Sequence, residues 1–287
     1  MAFDVSILGL GDNVVDRYEP EGVMYPGGNA VNCAVFARRA GAARAAYMGI
    51  FGNDAASEHV IASLAEEGIE CVKCRQVIGE CGKTTVRLAG GERVFLESNL
   101  GGVRGRTRIP LDRFDLEYIK GFDVVHLGAY GFMERELPTL HRVGCLVSFD
   151  FSEDSPNVFI EEHAPFVDIA FFSAEDQMDD QEVRERLAWL AGLGPRVVVA
   201  TRGMKGSAAY ADGSVWLQPA VPAESVVDTM GAGDSFIAAF LLGCAPAIRA
   251  RSLDGDVIER SLAFAAEFAS GACSLEGAWG HPLSYRE

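Results

Sequence analysis

Short apolar segments recur along this chain, and longer stretches with helical periodicity separate them. The segments are FDVSILG (Phe3 to Gly9), RAAYMG, DVVHLG, CLVSFD, DIAFFS and RVVVAT. Short apolar runs predict buried strands, and apolar residues spaced three and four apart predict helices. Strands that alternate with helices build a parallel sheet, because right-handed crossovers bring each strand back in the same direction. We therefore predict an α/β fold with a doubly wound, mostly parallel sheet flanked by helices.

Glycine stops and apolar composition predict where the helices lie. They are Val31 to Ala40, Ala55 to Glu67, Asp179 to Leu190, a helix that begins after Gly233, and a helix from about Val257 to Ser274. Gly41 and Gly68 directly follow the first two, as expected at helix ends. The last two are apolar on nearly every side, which is typical of helices buried in a core.

Two segments break the alternation, at about residues 14–25 and 69–100. Within the second, KTTVRLA and ERVFLES flank Gly90 and Gly91 as the strands of a hairpin flank a turn. The two segments are predicted to pair as a small antiparallel β lid over one edge of the main sheet. Because no repeat or low-complexity linker interrupts the sequence, residues 1–287 are predicted to form a single domain that carries this lid. The exposed face of the lid is a candidate contact for a homodimer.

The charge balance excludes two classes of partner. The chain has 41 acidic and 25 basic side chains, which give a formal net charge of −16. A nucleic-acid backbone or an anionic membrane would repel it, so we expect neither as a partner. The first residues lack a basic segment, and no stretch approaches the ~20 unbroken apolar residues of a membrane helix. We expect a soluble, cytoplasmic protein.

The seven cysteines indicate a reducing compartment, because their number is odd and most lie in apolar runs. Cys71, Cys74 and Cys81 lie closer together than the others. The segment IECVKCRQV alternates in polarity and predicts a strand in which Cys71 and Cys74 point to opposite faces. Side chains on opposite faces cannot share a metal ion, and no second pair or nearby histidine completes a zinc site. We therefore expect no metal at these cysteines.

Six polar or glycine-rich segments are predicted to meet at one edge of the sheet. They are GLGDN (Gly9 to Asn13), PGGNAVN (Pro26 to Asn32), DFSED (Asp150 to Asp154), SAED (Ser173 to Asp176), TRGMKG (Thr201 to Gly206) and DTMGAGD (Asp228 to Asp234). Open parallel sheets bind ligands outside the carboxyl ends of their strands. A helix start also leaves N–H groups unpaired and partly positive. Gly231, Ala232 and Gly233 are therefore predicted to form a cradle for an anion.

These motifs, in this order and over nearly the whole chain, resemble the ribokinase-like (PfkB) family of carbohydrate kinases. The combination of DTMGAGD in the last third with GGN near residue 30 is specific to that family. Within it, the segments GDNVVD, GGNAVN, FDFS, DTMGAGDSFIA and GAW are most similar to those of kinases that act on fructoselysine. The resemblance implies an ATP-dependent sugar kinase that phosphorylates the terminal primary hydroxyl, O6, of a fructose-amine.

The resemblance also implies a role for each motif. Asp234 would be the base that accepts the proton of the attacking hydroxyl, and the N–H groups of Gly231, Ala232 and Gly233 would form the anion hole for the moving phosphoryl group. A carboxylate with an ordinary pKa is a weak base for an alcohol, so we expect position to matter more than basicity. The substrate would contact Asp12, Gly27, Gly28, Asn29 and Asn32, and the nucleotide would contact Thr201, Gly203, Gly206 and Asp228.

ATP and Mg²⁺ are the implied cofactors, and the resemblance leaves open activation by a monovalent cation. Many relatives carry N-x-x-E to organise the magnesium waters, but Ser173 and Asp176 stand at those positions here. Asp176 keeps an oxygen anion, the ligand type that magnesium prefers, and is predicted to hold the metal through water. Asp154 stands where some relatives have an arginine, so we do not expect it to receive a phosphate or carboxylate of the substrate.

One histidine and one run of arginines are predicted to have structural roles. His126 ends the apolar segment DVVHLG, where a lone histidine is typically a hydrogen-bonded core residue rather than a ligand. Arg104, Arg106 and Arg108 form a short basic run, which predicts a solvated loop.

Other functions compete with this interpretation. A dinucleotide oxidoreductase is suggested by GLG after the first strand, but its fingerprint needs a third glycine where Val14 stands and an acid where Met48 and Gly49 end the next strand. A non-catalytic sugar or nucleotide sensor would keep the fold without turnover, and Asp234 with the complete glycine cradle argues against it. Among kinases, the alternatives are ribokinase, fructokinase and 2-keto-3-deoxygluconate kinase activity.

Overall fold

A large sheet forms the centre of the computed structural model, which describes residues 2–19, 21–89, 92–174 and 177–285. In spatial order its strands are β13 (Ser214–Gln218), β12 (Ser207–Ala211), β11 (Val197–Thr201), β10 (Ile169–Ser173), β9 (Leu146–Asp150), β8 (Val124–Gly128), β1 (Phe3–Gly11), β4 (Ala42–Phe51) and β5 (Arg75–Gln76). All pairs from β11 to β5 are parallel, while β12 and β13 add antiparallel strands at one edge. The predicted doubly wound, mostly parallel sheet is confirmed.

Helices cover both faces of this sheet. They are α1 (Asn29–Ala40), α2 (Ala55–Glu66), α3 (Val103–Arg106), α4 (Arg113–Ile119), α5 (Leu137–Leu140), α6 (Asn157–His163), α7 (Asp180–Ala191), α8 (Ala232–Ala250) and α9 (Gly255–Ala272). Alternate residues of β1 enter different cores, as the strand period of two requires. Val5 and Ile7 pack with α1, α2, α8 and α9. Leu8 and Leu10 pack with α4, α5, α6 and α7.

Helix α8 lies inside the protein, packed between α1 and α9. Gly243 permits close contact with α9, because a Cβ there would lie 2.5 Å from the Ser261 hydroxyl. In the described part of the chain, α8 alone is long and apolar enough to cross a membrane by length and composition, and most of it is buried within the protein. Its apolar character is accounted for by this packing, as the sequence predicts.

A second, smaller sheet lies beside the first. Its strands, in spatial order, are β14 (Leu283–Ser284), β3 (Val23–Gly27), β2 (Val14–Tyr18), β6 (Gly82–Ala89) and β7 (Glu92–Ser98). Neighbouring strands are antiparallel except β2 and β6, which run parallel. The C-terminal strand β14 was not predicted, because two residues carry no periodic signal. The predicted turn residues Gly90 and Gly91 lie outside the described residues.

The first part of the predicted lid segment 69–100 belongs elsewhere. Arg75 and Gln76 pair with the end of β4, and the chain enters the small sheet only at Gly82. The predicted strand through Cys71 and Cys74 is wrong, because this segment is a turn in which the Cys74 N–H donates to the Cys71 carbonyl at 3.0 Å. The chain must turn here to bring β5 parallel to β4. The turn consequently brings Cys71 and Cys74 near each other instead of placing them on opposite faces of a strand.

Candidate active site

Asp12 follows β1 and lies at the start of α1. Its carboxylate accepts hydrogen bonds from the backbone N–H groups of Asn29, at 2.7 Å, and Ala30, at 3.2 Å. The preceding residue, Gly28, has φ +112, and a Cβ there would lie 3.0 Å from an Asp12 oxygen. Asp12 therefore caps α1 from a distant part of the sequence, and the glycine makes room for it. Burial raises the pKa of the Asp12 carboxyl, while these backbone hydrogen bonds oppose that rise.

Asn29 and Asn32 lie in the first turn of α1, whereas the sequence predicted a helix that begins at Val31. The Asn29 amide nitrogen donates to Asp150, at 3.0 Å, and to Asp234, at 2.8 Å. The Asn32 amide nitrogen donates to the other oxygen of Asp234, at 2.7 Å. Both asparagines were predicted to offer these groups to the sugar. In the structure they hold carboxylates, so both oxygens of Asp234 are fixed by one turn of helix.

The oxygen atoms of the two asparagines are also engaged. The Trp279 indole N–H donates to the Asn32 oxygen at 2.8 Å, which gives the GAW motif a positioning role. The Asn29 oxygen lies 3.1 Å from His126 Nε2, and the Ser148 hydroxyl lies 2.9 Å from Nδ1. Burial lowers the pKa of His126 to about 3, so the ring is neutral. Because the Asn29 oxygen can only accept, we assign the proton to Nε2, and the predicted core histidine supports the site indirectly.

Asp234 shares its surroundings with two further acids. Burial raises the pKa of Asp234 to about 7, the charges of Asp150 and Asp12 add to the rise, and the hydrogen bonds from the asparagines oppose it. Burial likewise raises the pKa of Asp150 to about 6. The expectation of an ordinary carboxylate at position 234 is therefore corrected. A carboxylate with a pKa near neutrality is a far better proton acceptor than a free aspartate.

The start of α8 supplies hydrogen-bond donors beside Asp234. Gly231 is the N-cap and adopts the left-handed conformation, with φ 73, and a Cβ there would lie 2.9 Å from Ala278. The Ala232 N–H donates back to the Thr229 carbonyl at 3.2 Å. Within the described ranges, the N–H groups of Gly231 and Gly233 have no protein acceptor. Gly233 is exposed, so two of the three predicted donors are available to an anion.

Asp228, predicted to contact the nucleotide, is buried in the turn that precedes α8. Its carboxylate accepts from the Met230 N–H at 2.9 Å and from the Tyr18 hydroxyl of β2. This contact joins the small sheet to the turn that leads to Asp234. These contacts give Asp228 a structural role, and its contact with the nucleotide stays a prediction.

The remaining predicted nucleotide residues lie at the same edge of the large sheet. Thr201 ends β11, Gly203 is exposed in the following turn, and Gly206 precedes β12. Ser173 ends the neighbouring strand, and its hydroxyl lies 3.3 Å from that of Thr201. Gly27 of the predicted substrate site ends β3.

The predicted metal residue Asp176 lies outside the described residues. Among the residues described, no cluster of three or more His, Cys, Asp or Glu side chains is suited to hold a metal ion.

Arg104 is buried, although the basic run in which it lies predicts a solvated loop. It lies in α3 and is 1% exposed. Its two terminal nitrogens donate to the carbonyls of Thr107 and Phe132, each at 2.7 Å. Its charge acts on Asp12 and opposes the rise in the pKa of that carboxyl. A run of three arginines gives no local signal that one of them is buried, so this residue was missed.

The sequence pattern of the pfkB family carbohydrate kinases matches residues 3–146 and 161–282. This chain belongs to the pfkB carbohydrate kinase family. Its relatives include fructosamine kinase FrlD of Bacillus subtilis, which is 39% identical over 98% of this chain and 95% of the relative. Fructoselysine 6-kinase of Escherichia coli is 31% identical over 94% of this chain and 98% of the relative. The family predicted from the motifs is confirmed, and the kinase is a phosphotransferase with an alcohol group as acceptor.

Solved structures show the same fold. Ribokinase from Giardia lamblia superposes with a TM-score of 0.82 at 17% identity, covering 96% of this kinase and 94% of that chain. Arabidopsis thaliana ribokinase, solved with ribose and ATP, superposes with a TM-score of 0.73 at 22% identity, covering 98% and 97%. The ribokinase-like fold predicted from the sequence is therefore confirmed.

Proposed function

We propose that this kinase transfers the terminal phosphoryl group of ATP to O6 of a fructose-amine such as fructoselysine. The observation that carries the chemistry is Asp234, which has a pKa of about 7 and is held by Asn29 and Asn32 beside the free N–H groups of a helix start. Similarity to FrlD and to fructoselysine 6-kinase over nearly the whole chain supports the acceptor class. A ribokinase of Arabidopsis thaliana is similar in sequence over 34% of this chain, so ribokinase activity is the weaker alternative.

Acidic residues beside the site suit a cationic acceptor. Tyr130 follows β8 and is 58% exposed. Partial burial raises the pKa of its hydroxyl, and the negative charges of Asp154, Asp150 and Glu153 add to that rise. The secondary amine of a fructose-amine is cationic, whereas ribose and fructose carry no charge. An aromatic ring among carboxylates supports binding of such an amine.

Catalysis would rest on proton acceptance and on fixed donors. Asp234 accepts the proton of the acceptor hydroxyl as its oxygen bonds to phosphorus. The N–H groups of Gly231 and Gly233 stabilise the charge that develops on the phosphoryl oxygens. Because α8 is buried, these donors are held rigidly, and no reorganisation is needed during the reaction. Asp12 holds α1 in place and faces the acceptor.

ATP would bind together with Mg²⁺, and the loop of Thr201, Gly203 and Gly206 would contact the nucleotide. An exposed glycine turn at the carboxyl edge of the sheet fits a phosphate chain. Magnesium would neutralise triphosphate charge that a chain with net charge −16 cannot. We expect activity to disappear in excess chelator and to return with added Mg²⁺, measured by a coupled assay. Full activity in chelator would contradict this, and the same assay with and without K⁺ tests activation by a monovalent cation.

The acceptor class is tested by competition. Fructoselysine, fructose, ribose and 2-keto-3-deoxygluconate are supplied together with ATP, and their phosphorylated products are measured by mass spectrometry. The fructose-amine is expected to have the highest kcat/KM by at least about tenfold, the effect of one well-placed charged contact. Preference for a neutral sugar would overturn the acceptor class and leave the kinase assignment intact.

The activity of this kinase should depend on pH through the titration of Asp234 and Asp150, which both accept hydrogen bonds from Asn29. Protonated Asp234 cannot accept a proton, so kcat/KM for the acceptor is expected to rise with pH, with a midpoint near the Asp234 pKa of about 7. Asp150, with a pKa of about 6, titrates in the same cluster, so the midpoint belongs to the group of acids. Steady-state assays from about pH 5 to 9, with a check that the protein stays folded, measure this midpoint. A flat profile across this range would contradict the role of Asp234.

The position of transfer follows from the arrangement of Asp12 and Asp234. Asp12 is predicted to bind ring hydroxyls, so that the exocyclic O6 meets Asp234 and the amine extends toward Tyr130. Phosphorus-coupled NMR of the product is expected to show phosphate on O6. Phosphate on a ring hydroxyl would overturn this orientation.

Asp12→Ala should raise the KM for the acceptor about tenfold or more and also lower kcat, because it removes a charged contact that holds the hydroxyl in line. Asp12→Asn is the matched variant, because its amide oxygen can still accept a hydrogen bond from the Asn29 N–H at the start of α1. Steady-state kinetics that show an unchanged acceptor KM in Asp12→Ala would exclude this role.

The small sheet is proposed to act as a lid and as the contact of a homodimer. Its Tyr18 contacts Asp228 beside the catalytic helix, so lid position and site geometry are linked. Sedimentation at working concentrations tests the dimer, and a monomeric mass throughout would exclude it. A cytoplasmic location also stays a prediction.

A further inference from the structure

Cys71 and Cys74 lie in one hydrogen-bonded turn between α2 and β5. The Cys74 N–H donates to the Cys71 carbonyl at 3.0 Å, so the two cysteines are the first and last residues of a four-residue turn. The ends of such a turn lie within about 7 Å of each other, a separation that a disulfide can span. Both side chains are half-buried, and Val72 between them is 70% exposed, so the turn faces solvent. Four of the other five cysteines are buried, and the fifth, Cys273, lies near the end of α9. This turn therefore brings two partly exposed thiols close together.

The two thiols differ in reactivity. Interaction with the Cys74 thiol lowers the pKa of the Cys71 thiol, whereas interaction with Cys71 and burial raise the pKa of the Cys74 thiol. A thiolate is the nucleophile in exchange with disulfides. Cys71 is thus suited to react first, and Cys74 is suited to resolve the product, because the turn holds Cys74 near Cys71.

We propose that Cys71 and Cys74 form a reversible disulfide and constitute a redox modification site outside the catalytic centre. The Cys71 thiolate attacks a low-molecular-weight disulfide such as oxidised glutathione, forms a mixed disulfide and releases one glutathione thiolate. The Cys74 thiol then gives its proton to the released glutathione thiolate and attacks the Cys71 sulfur, which releases the second glutathione. Two protein thiols are oxidised, one glutathione disulfide is reduced to two glutathione molecules, and the thiol protons pass to those molecules.

The same turn contacts the strand that supports Asp12. The Cys74 thiol donates to the Tyr47 carbonyl at 3.3 Å, and the Gly49 N–H donates to its sulfur. Farther along, the Tyr47 hydroxyl and the Ile50 carbonyl accept from the Asn13 amide at 2.8 and 2.7 Å, next to Asp12. A disulfide removes the thiol donor from Tyr47 and moves the sulfur. Oxidation is therefore expected to weaken acceptor binding, a consequence that rests on the proposed function.

Mass spectrometry of the full-length chain tests the disulfide. After incubation with oxidised glutathione and alkylation of free thiols, we expect a product that has lost two hydrogen atoms and resists alkylation at Cys71 and Cys74. Dithiothreitol should reverse this change. Cys71→Ser should abolish it, and Cys273→Ser should retain it. A stable glutathione adduct, a disulfide between two chains, or unreacted Cys71 and Cys74 would overturn the proposal.

Kinetics of the oxidised protein test its connection to the acceptor site. The acceptor KM is expected to rise about threefold or more, in the range of couplings through packed elements. Cys71→Ser treated with the same oxidant should keep its acceptor KM. An unchanged KM in fully oxidised protein would overturn the connection. Because the mass measurement requires no substrate, its result is independent of whether the acceptor class is correct.

Discussion

Asp234→Asn is expected to bind ATP and the acceptor nearly as the natural protein does and to lose about 10²- to 10⁴-fold in kcat, the usual contribution of a general base. The substitution keeps the size of the side chain and removes its ability to accept the proton. Stopped assays with purified protein measure kcat, and calorimetry measures ligand binding. A kcat within threefold of the natural value would exclude Asp234 as the base.

Asp4→Asn is the matched control for this variant. Asp4 is an exposed aspartate at the far end of β1, and its substitution makes the same change in charge away from the site. It should keep normal kcat. A comparable loss in both variants would assign the effect to net charge instead of proton transfer.

Asn29→Ala should have the second-largest effect, because one amide group holds both Asp150 and Asp234. Hydrogen bonds to charged groups contribute about 1.5–3 kcal/mol each, so we expect kcat to fall about 10- to 100-fold. Loss of this donor also removes an interaction that lowers the pKa of Asp234. The midpoint of the activity profile should therefore move to higher pH. Steady-state kinetics across the pH range measure both effects.

Asn53→Ala serves as the control for this second variant. Asn53 is exposed, and its side-chain oxygen accepts from the Gly79 N–H, outside the hydrogen-bonded group of Asn29, Asp150 and Asp234. It should leave the pH midpoint unchanged. A fall in Asn29→Ala activity without any alkaline shift would show that Asn29 supports the fold but does not tune Asp234.

The fold was largely predictable because its signals are local. Short apolar runs alternate with helical periodicity, and the glycine turn before an apolar helix placed Asp234 at the start of α8. The segment around Cys71 shows where such signals fail. Its alternating polarity suggests a strand, but the chain must turn there to align β5 with β4. Tertiary topology overrode the local pattern.

The chemistry of the site was only partly predictable, because it depends on contacts between distant segments. The sequence identifies Asp234, but its pKa of about 7 results from burial near Asp150 and Asp12, which lie far away along the chain. Asp12 caps α1 from 17 residues before Asn29, and no local cap at that helix start announces it. The sequence also does not show that Asn29 and Asn32 donate to these carboxylates, so their positioning roles could not be predicted from it.

The first turn of α1 restricts how this kinase can change its acceptor during evolution. The backbone of that turn donates to Asp12, which would bind the sugar. The asparagine side chains of the same turn donate to Asp234, which would remove the proton. A mutation that adapts this turn to a different sugar core therefore also disturbs proton transfer. Of the residues at the Tyr130 end of the site, Asp150 shares this link through Asn29, but Tyr130, Glu153 and Asp154 do not. New amine substituents can therefore be selected at those three residues while the sugar core and its chemistry are inherited unchanged.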